Sequence, residues 1–192
     1  MFLTIPLWLL NKKQYDMRIL IIVIHNKIKD SLINKRWVEE LNKHPDKYDV
    51  HQLYEIYPDE KIDIIKEQKL IESYDKIVFQ FPFYWFNCPP LFKKWLDEVL
   101  TYGWAYGSKS GYKVSGKKIA LAITAGIDEK EYGPLGIYKY NLKQLTSPFE
   151  LTFEYIRADY KQFFAYYGIE LNTSSEWIEK SVPLYIDFLD SL

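Results

Sequence analysis

The chain has 192 residues, 48% apolar and 18% aromatic, with 25 basic against 26 acidic side chains and a formal charge of −1. This excludes a disordered chain and is enough for one domain with a substantial core. The balanced charge, with no basic block or stripe, argues against a nucleic-acid partner held through its phosphates. The single cysteine, Cys88, rules out an intramolecular disulfide and points to a reducing, cytoplasmic compartment.

The first segment, MFLTIPLWLLNKKQYD, reads as an N-terminal extension over residues 1–16, with one domain over 17–192. Its apolar part is about half of the roughly 20 residues that span a bilayer. It also lacks the basic leader and small-residue cleavage site of a secretory signal. No later segment is long and apolar enough to span, so a soluble chain is expected.

RILIIVI (18–24) is a continuous β-branched run, the pattern of a strand covered by helices on both faces. Helical spacing over 31–43 directs Leu32, Trp37, Val38 and Leu41 inward. A second strand is predicted over 48–54. A helix over 59–74 follows, with Ile62, Ile65, Leu70 and Ile71 inward, then a buried strand, DKIVFQF, over 75–81. In the helix over 89–100 the pairs Leu91/Phe92, Trp95/Leu96 and Val99/Leu100 recur every four residues, and Pro89 and Pro90 suit its first turn.

A strand over 118–124 and a long loop to about residue 140 come next. Ser147-Pro148-Phe149-Glu150 and Thr173-Ser174-Ser175-Glu176 both have the form of a capping box. They predict helix starts there, with a fifth strand over 161–167 and a kink at Pro183. The alternation predicts a three-layer α/β domain whose parallel sheet has five strands in the flavodoxin-like order 2-1-3-4-5. Such sheets bind ligands outside the carboxyl ends of their strands, near the switch point.

Three loops would meet at that edge. The first runs from His25 to Asn34, where Ser31 or Asp30 can cap a helix whose free N–H groups form an anion site. There is no P-loop and no GxGxxG motif. The second, Pro82-Phe83-Tyr84-Trp85-Phe86-Asn87-Cys88, carries four consecutive aromatic residues that cannot all point inward from one element. A flat conjugated ligand is a suitable partner for such a wall. The third spans Thr124-Ala125-Gly126-Ile127 to Tyr132, where Gly126 permits close backbone approach. Cys88 lacks the basic neighbours that activate a thiol, and no His/Cys/Asp/Glu spacing suggests a metal site.

The first loop, FQFPFYWFNCPPLFKKWLDEVLTYGWAYG (79–107), Thr124-Ala125-Gly126 with Tyr132, and PFELTFEYI with FFAYYG together resemble the NAD(P)H dehydrogenase (quinone) family. These flavodoxin-like flavoproteins include quinone reductases and ancillary subunits of potassium-efflux systems. The resemblance implies that His25, Ser31, Leu32, Ile33 and Asn34 hold the phosphate end of FMN, or of FAD. It implies that Pro82, Phe83, Tyr84, Trp85 and Phe86 line one side of the isoalloxazine ring, and Thr124, Ala125, Gly126, Ile127 and Tyr132 the other. Two departures stand out. The family commonly has Thr-Thr-Gly-Gly where this chain has Thr-Ala-Gly-Ile, and some members carry a histidine at the position of Tyr138.

The expected chemistry is a two-electron ping-pong transfer from NAD(P)H through flavin to a quinone, with Tyr132 as the catalytic hydroxyl. The expected assembly is a homodimer. The rival readings are a regulatory flavoprotein bound to a membrane transporter and a domain that has lost its flavin and serves as an interaction module.

Overall fold

The computed structural model describes residues 18–192, so the expected N-terminal extension, with Met17, lies outside the described residues. Five strands, β1 (Ile19–Val23), β2 (Tyr48–Gln52), β3 (Lys76–Pro82), β4 (Lys118–Ala125) and β5 (Asp159–Tyr160), form a path in the order β2-β1-β3-β4-β5. A sixth, β6 (Phe164–Tyr167), pairs with β4 as well, and every pairing is parallel. The helices are α1 (Ile33–Leu41), the single turn α2 (Leu53–Ile56), α3 (Ile64–Glu72), α4 (Pro90–Val99), α5 (Leu142–Tyr155) and α6 (Ser175–Asp190).

The unbroken apolar run of β1 is explained by two cores. Leu20, Ile22 and Ile24 join one cluster with Phe79, Phe92, Trp95 and Phe153, whereas Ile19, Ile21 and Val23 join another with Trp37, Leu41 and Tyr185. Alternate residues thus feed opposite faces, with α4 and α5 on one side and α1 and α6 on the other. The three apolar pairs of α4 are all buried, as its spacing predicts.

Several expectations change. Leu32 is exposed, because α1 begins one residue later with buried Ile33. Ile65 is exposed, because α3 starts at Ile64, after the Asp63 cap, and turns Glu67, Gln68 and Ile71 inward instead. The box at Ser147–Glu150 does not form. A helix is already running there, opened by Asn141 and Gln144, whose side chains bond each other's backbone N–H groups at 2.8 and 3.0 Å. Pro148 therefore sits inside α5, and its missing N–H leaves the Gln144 carbonyl without its helical donor. The Ser147 hydroxyl donates to that carbonyl at 2.8 Å and repairs the loss.

At α6 the cap is Ser174, bonding the N–H of Trp177, rather than a box between Thr173 and Glu176. The expected fifth strand is two pieces, β5 and β6, whose register on β4 slips by one residue between them.

Candidate functional site

At the carboxyl edge the second loop makes a tight reversal. The Asn87 N–H donates to the Tyr84 carbonyl at 2.9 Å, and the two residues between, Trp85 and Phe86, have φ of 49° and 60°. Successive positive φ values mark a turn that normally takes Asn-Gly, because a Cβ there costs about 1–2 kcal/mol per residue. The turn holds its rings out: Tyr84, Trp85 and Phe86 are 38%, 93% and 44% exposed. Strain spent on exposing large rings is a mark of function. The loop is anchored at its base, where the Phe83 N–H donates to the Thr124 carbonyl at 2.8 Å.

Facing it lies the third loop. Together they bound a cavity of about 890 Å³, within the range of small-molecule sites. Its wall includes Phe83, Tyr84, Trp85 and Phe86 on one side and Gly126, Ile127, Tyr132 and Tyr138 on the other, with Asn87, Cys88, Pro90, Lys93 and Glu170 completing it. Phe86 touches Tyr138 edge-on, with ring centres 5.0 Å apart, and Tyr138 packs on Tyr132 at 4.9 Å. Burial, aided by Tyr138 and Glu170, raises the Tyr132 hydroxyl to about 12, so it stays protonated through the physiological range. Burial likewise raises the Cys88 thiol to about 11, which leaves it an unreactive thiol. Among the described residues no group of His, Cys, Asp and Glu could hold a metal ion.

The first loop lies beside this cavity rather than in its wall. His25 meets Tyr84 edge-on at 6.5 Å. Burial lowers its pKa, against the pull of Asp30, and its Nδ1 accepts the Lys27 N–H at 3.1 Å, which leaves the hydrogen on Nε2, free to be donated. The Ser31 hydroxyl caps α1 by accepting the Asn34 N–H at 3.1 Å. The N–H groups of Leu32 and Ile33 then remain at the helix entrance.

Five of the expected site residues turn their side chains elsewhere. Ile33 and Ala125 are buried in the protein, and Pro82 is buried at the end of β3. Asn34 donates to the Thr124 hydroxyl at 2.8 Å and accepts from Gln80, which in turn accepts from Tyr185 at 2.9 Å. This buried chain ties α6, β3, α1 and β4 together beneath the site, and it holds the Asn34 and Thr124 side chains within the protein. The N–H groups of Gly126 and Ile127 take no part in the protein's own backbone bonds.

The sequence reading did not place Lys93 or Glu170 at the site, and it gave Asn87 no role there. Lys93 was hidden as the polar side of an amphipathic helix, and Glu170 enters only through the turn after β6.

Comparison with known proteins gives the family. Residues 17–182 match the family model described as a flavodoxin-like fold. A general stress protein 14 from Treponema denticola, solved in complex with FMN, superposes with a TM-score of 0.85 at 45% identity, covering 91% of this chain and 98% of that one. The uncharacterized NAD(P)H oxidoreductase YrkL of Bacillus subtilis is 42% identical, over 90% of this chain and 98% of its own length. The glutathione-regulated potassium-efflux system ancillary protein KefG of Cronobacter sakazakii is 41% identical, over 70% of this chain and 72% of its own. With its parallel sheet in the order β2-β1-β3-β4-β5 and this matched span, the chain belongs to the flavodoxin-like fold family.

Proposed function

We propose that this chain is an FMN-dependent NAD(P)H oxidoreductase that passes two electrons, in a ping-pong cycle, to a quinone or a similar flat acceptor. The observation that carries the reading is the strained Trp85–Phe86 turn, which faces the Gly126 loop across a cavity of about 890 Å³. The residues fit a flat ligand with a phosphate tail. One wall is aromatic, the other offers unused N–H groups, and the entrance of α1 lies beside them. The FMN complex of the Treponema protein and the oxidoreductase name of YrkL support the same chemistry.

A bound flavin would supply the two-electron redox chemistry between NAD(P)H and the acceptor. The protein positions and shields it. Tyr84, Trp85 and Phe86 cover ring surface and exclude water. The Leu32 and Ile33 N–H groups and His25 Nε2 receive the phosphate, using the positive end of α1. The N–H groups of Gly126 and Ile127 act as fixed donors to negative charge on the ring's polar edge. Tyr132, protonated at neutral pH, offers its hydroxyl to the reacting face.

We place the enzyme in the cytoplasm as a homodimer. Among the described residues no helix is long and apolar enough to cross a membrane. Leu151 and Tyr155 on α5, with nearby Tyr106, edge an exposed groove against α4 that suits a second copy.

The test is anaerobic mixing of purified, FMN-loaded protein with NADH and with NADPH. Loss of the oxidised-flavin absorbance with either donor supports the reading, and no loss with both sinks it. One observation, the likeness to KefG, favours a second role as a flavin-bearing regulator of a potassium-efflux transporter. Potassium-efflux assays in cells with and without the chain separate that role from catalysis alone.

A further inference from the structure

We infer that Glu170 sets the electron affinity of the flavin in this cavity, its carboxylate opposing the negative charge that reduction adds; the inference rests on the FMN reading above. The backbone fixes its position. The Gly168 N–H donates to the Ile127 carbonyl at 3.1 Å and the Glu170 N–H to the Gly126 carbonyl at 2.9 Å, which fastens the turn after β6 onto the loop after β4. Glu170 Oε1 lies 2.5 Å from where a Cβ on residue 126 would stand, so the glycine leaves the space that the carboxylate takes.

The charge on the cavity wall is unbalanced. Glu170 forms part of that wall and, among the described residues, has no ion-pair partner. The other charged wall residue, Lys93, is held by Asp97 at 2.5 and 2.6 Å, which offsets its charge. Glu170 also bears on the neighbouring Tyr132 of the same wall, where it adds to the effect of burial in raising the hydroxyl pKa. A ligand between the two aromatic-lined walls therefore meets one uncompensated negative charge. Reduction of a flavin there increases electron density on the ring, and the carboxylate weakens the reduced form relative to the oxidised one.

The test compares wild-type and Glu170→Gln proteins, each loaded with FMN, at low ionic strength. Spectroelectrochemical titration gives the midpoint potential, and flavin fluorescence gives the affinity for oxidised FMN. The expected result is unchanged affinity for oxidised FMN and about tenfold tighter binding of reduced FMN. For a two-electron couple this raises the potential by about 30 mV. The difference shrinks at high salt. Glu154→Gln, which removes an exposed carboxylate on α5 outside the wall, leaves the potential where it was.

Equal potentials in Glu170→Gln and wild type overturn the inference, as does an equal rise in the Glu154→Gln control. If wild-type protein retains no flavin at all, the FMN reading falls first and takes this inference with it. If it retains flavin whose potential ignores Glu170, this inference alone falls.

Discussion

Two sets of aromatic residues lie within one stretch of chain and behave in opposite ways. Phe79, Phe81, Phe92 and Trp95 belong to β3 and α4 and are almost wholly buried. Phe79 stacks on Phe92 at 4.7 Å, and Phe92 on Phe149 at 5.6 Å with the planes only 5° apart. Tyr84, Trp85 and Phe86, in the loop between those elements, are held outward by a turn with positive φ at Trp85 and Phe86. The first set gains from leaving water and needs no strain to do so. The second set accepts strain and remains wet. Ring chemistry alone therefore does not tell core from site; the backbone that carries the ring does.

The sharpest way to test this contrast is to remove a ring from each set. Phe92→Ala empties a packed position and is expected to cost about 3–5 kcal/mol, read as a drop in the urea midpoint with an unchanged slope. A cost under about 1 kcal/mol would mean that this stack is not core. Tyr132 belongs to neither extreme, being half-buried against Tyr138 and Tyr167. Tyr132→Phe keeps that packing and removes the hydroxyl. Single-turnover flavin reduction or reoxidation is expected to slow roughly 10- to 100-fold, with little change in stability.

Because Tyr132 loses its proton only near pH 12, the wild-type rate should show no ionisation from it below about pH 10. A full rate in Tyr132→Phe would leave the residue a piece of cavity wall. The smallest stability effect is expected in the loop. Phe86→Gly relieves a positive φ and should raise stability by about 1 kcal/mol while weakening FMN binding. A loss of stability would show that the turn is held by packing and not against strain.

Much of the fold was legible because both its signals are local. The continuous run of β1 and the four-residue spacing of α4 reflect burial that the chain records directly. Cap motifs were less dependable. Ser147 and Glu150 carry the letters of a helix start, but Asn141 and Gln144 make the same bonds six residues earlier, and the later motif then lies within a helix. The broken edge strand was also hidden, since a one-residue slip between β5 and β6 leaves no mark in composition.

At the site, the aromatic loop could be read from four adjacent rings. The fate of Asn34 could not: its partner Thr124 lies 90 residues away, and only the fold joins them. Glu170 was invisible for the same reason. Its importance depends on a glycine on another strand's loop leaving it room.

Whether the exposed loop rings serve a flat ligand is decided by FMN titration of wild-type and Trp85→Ala proteins. With the thermal midpoint as a check on folding, saturable quenching of flavin fluorescence is predicted for wild type. Binding should be roughly 2- to 10-fold weaker in Trp85→Ala, with the midpoint unchanged, because the lost contribution is ring stacking and not core packing. Equal FMN affinity in the two proteins, or a fall in midpoint like that of a core substitution, would show that the loop rings do not serve a ligand.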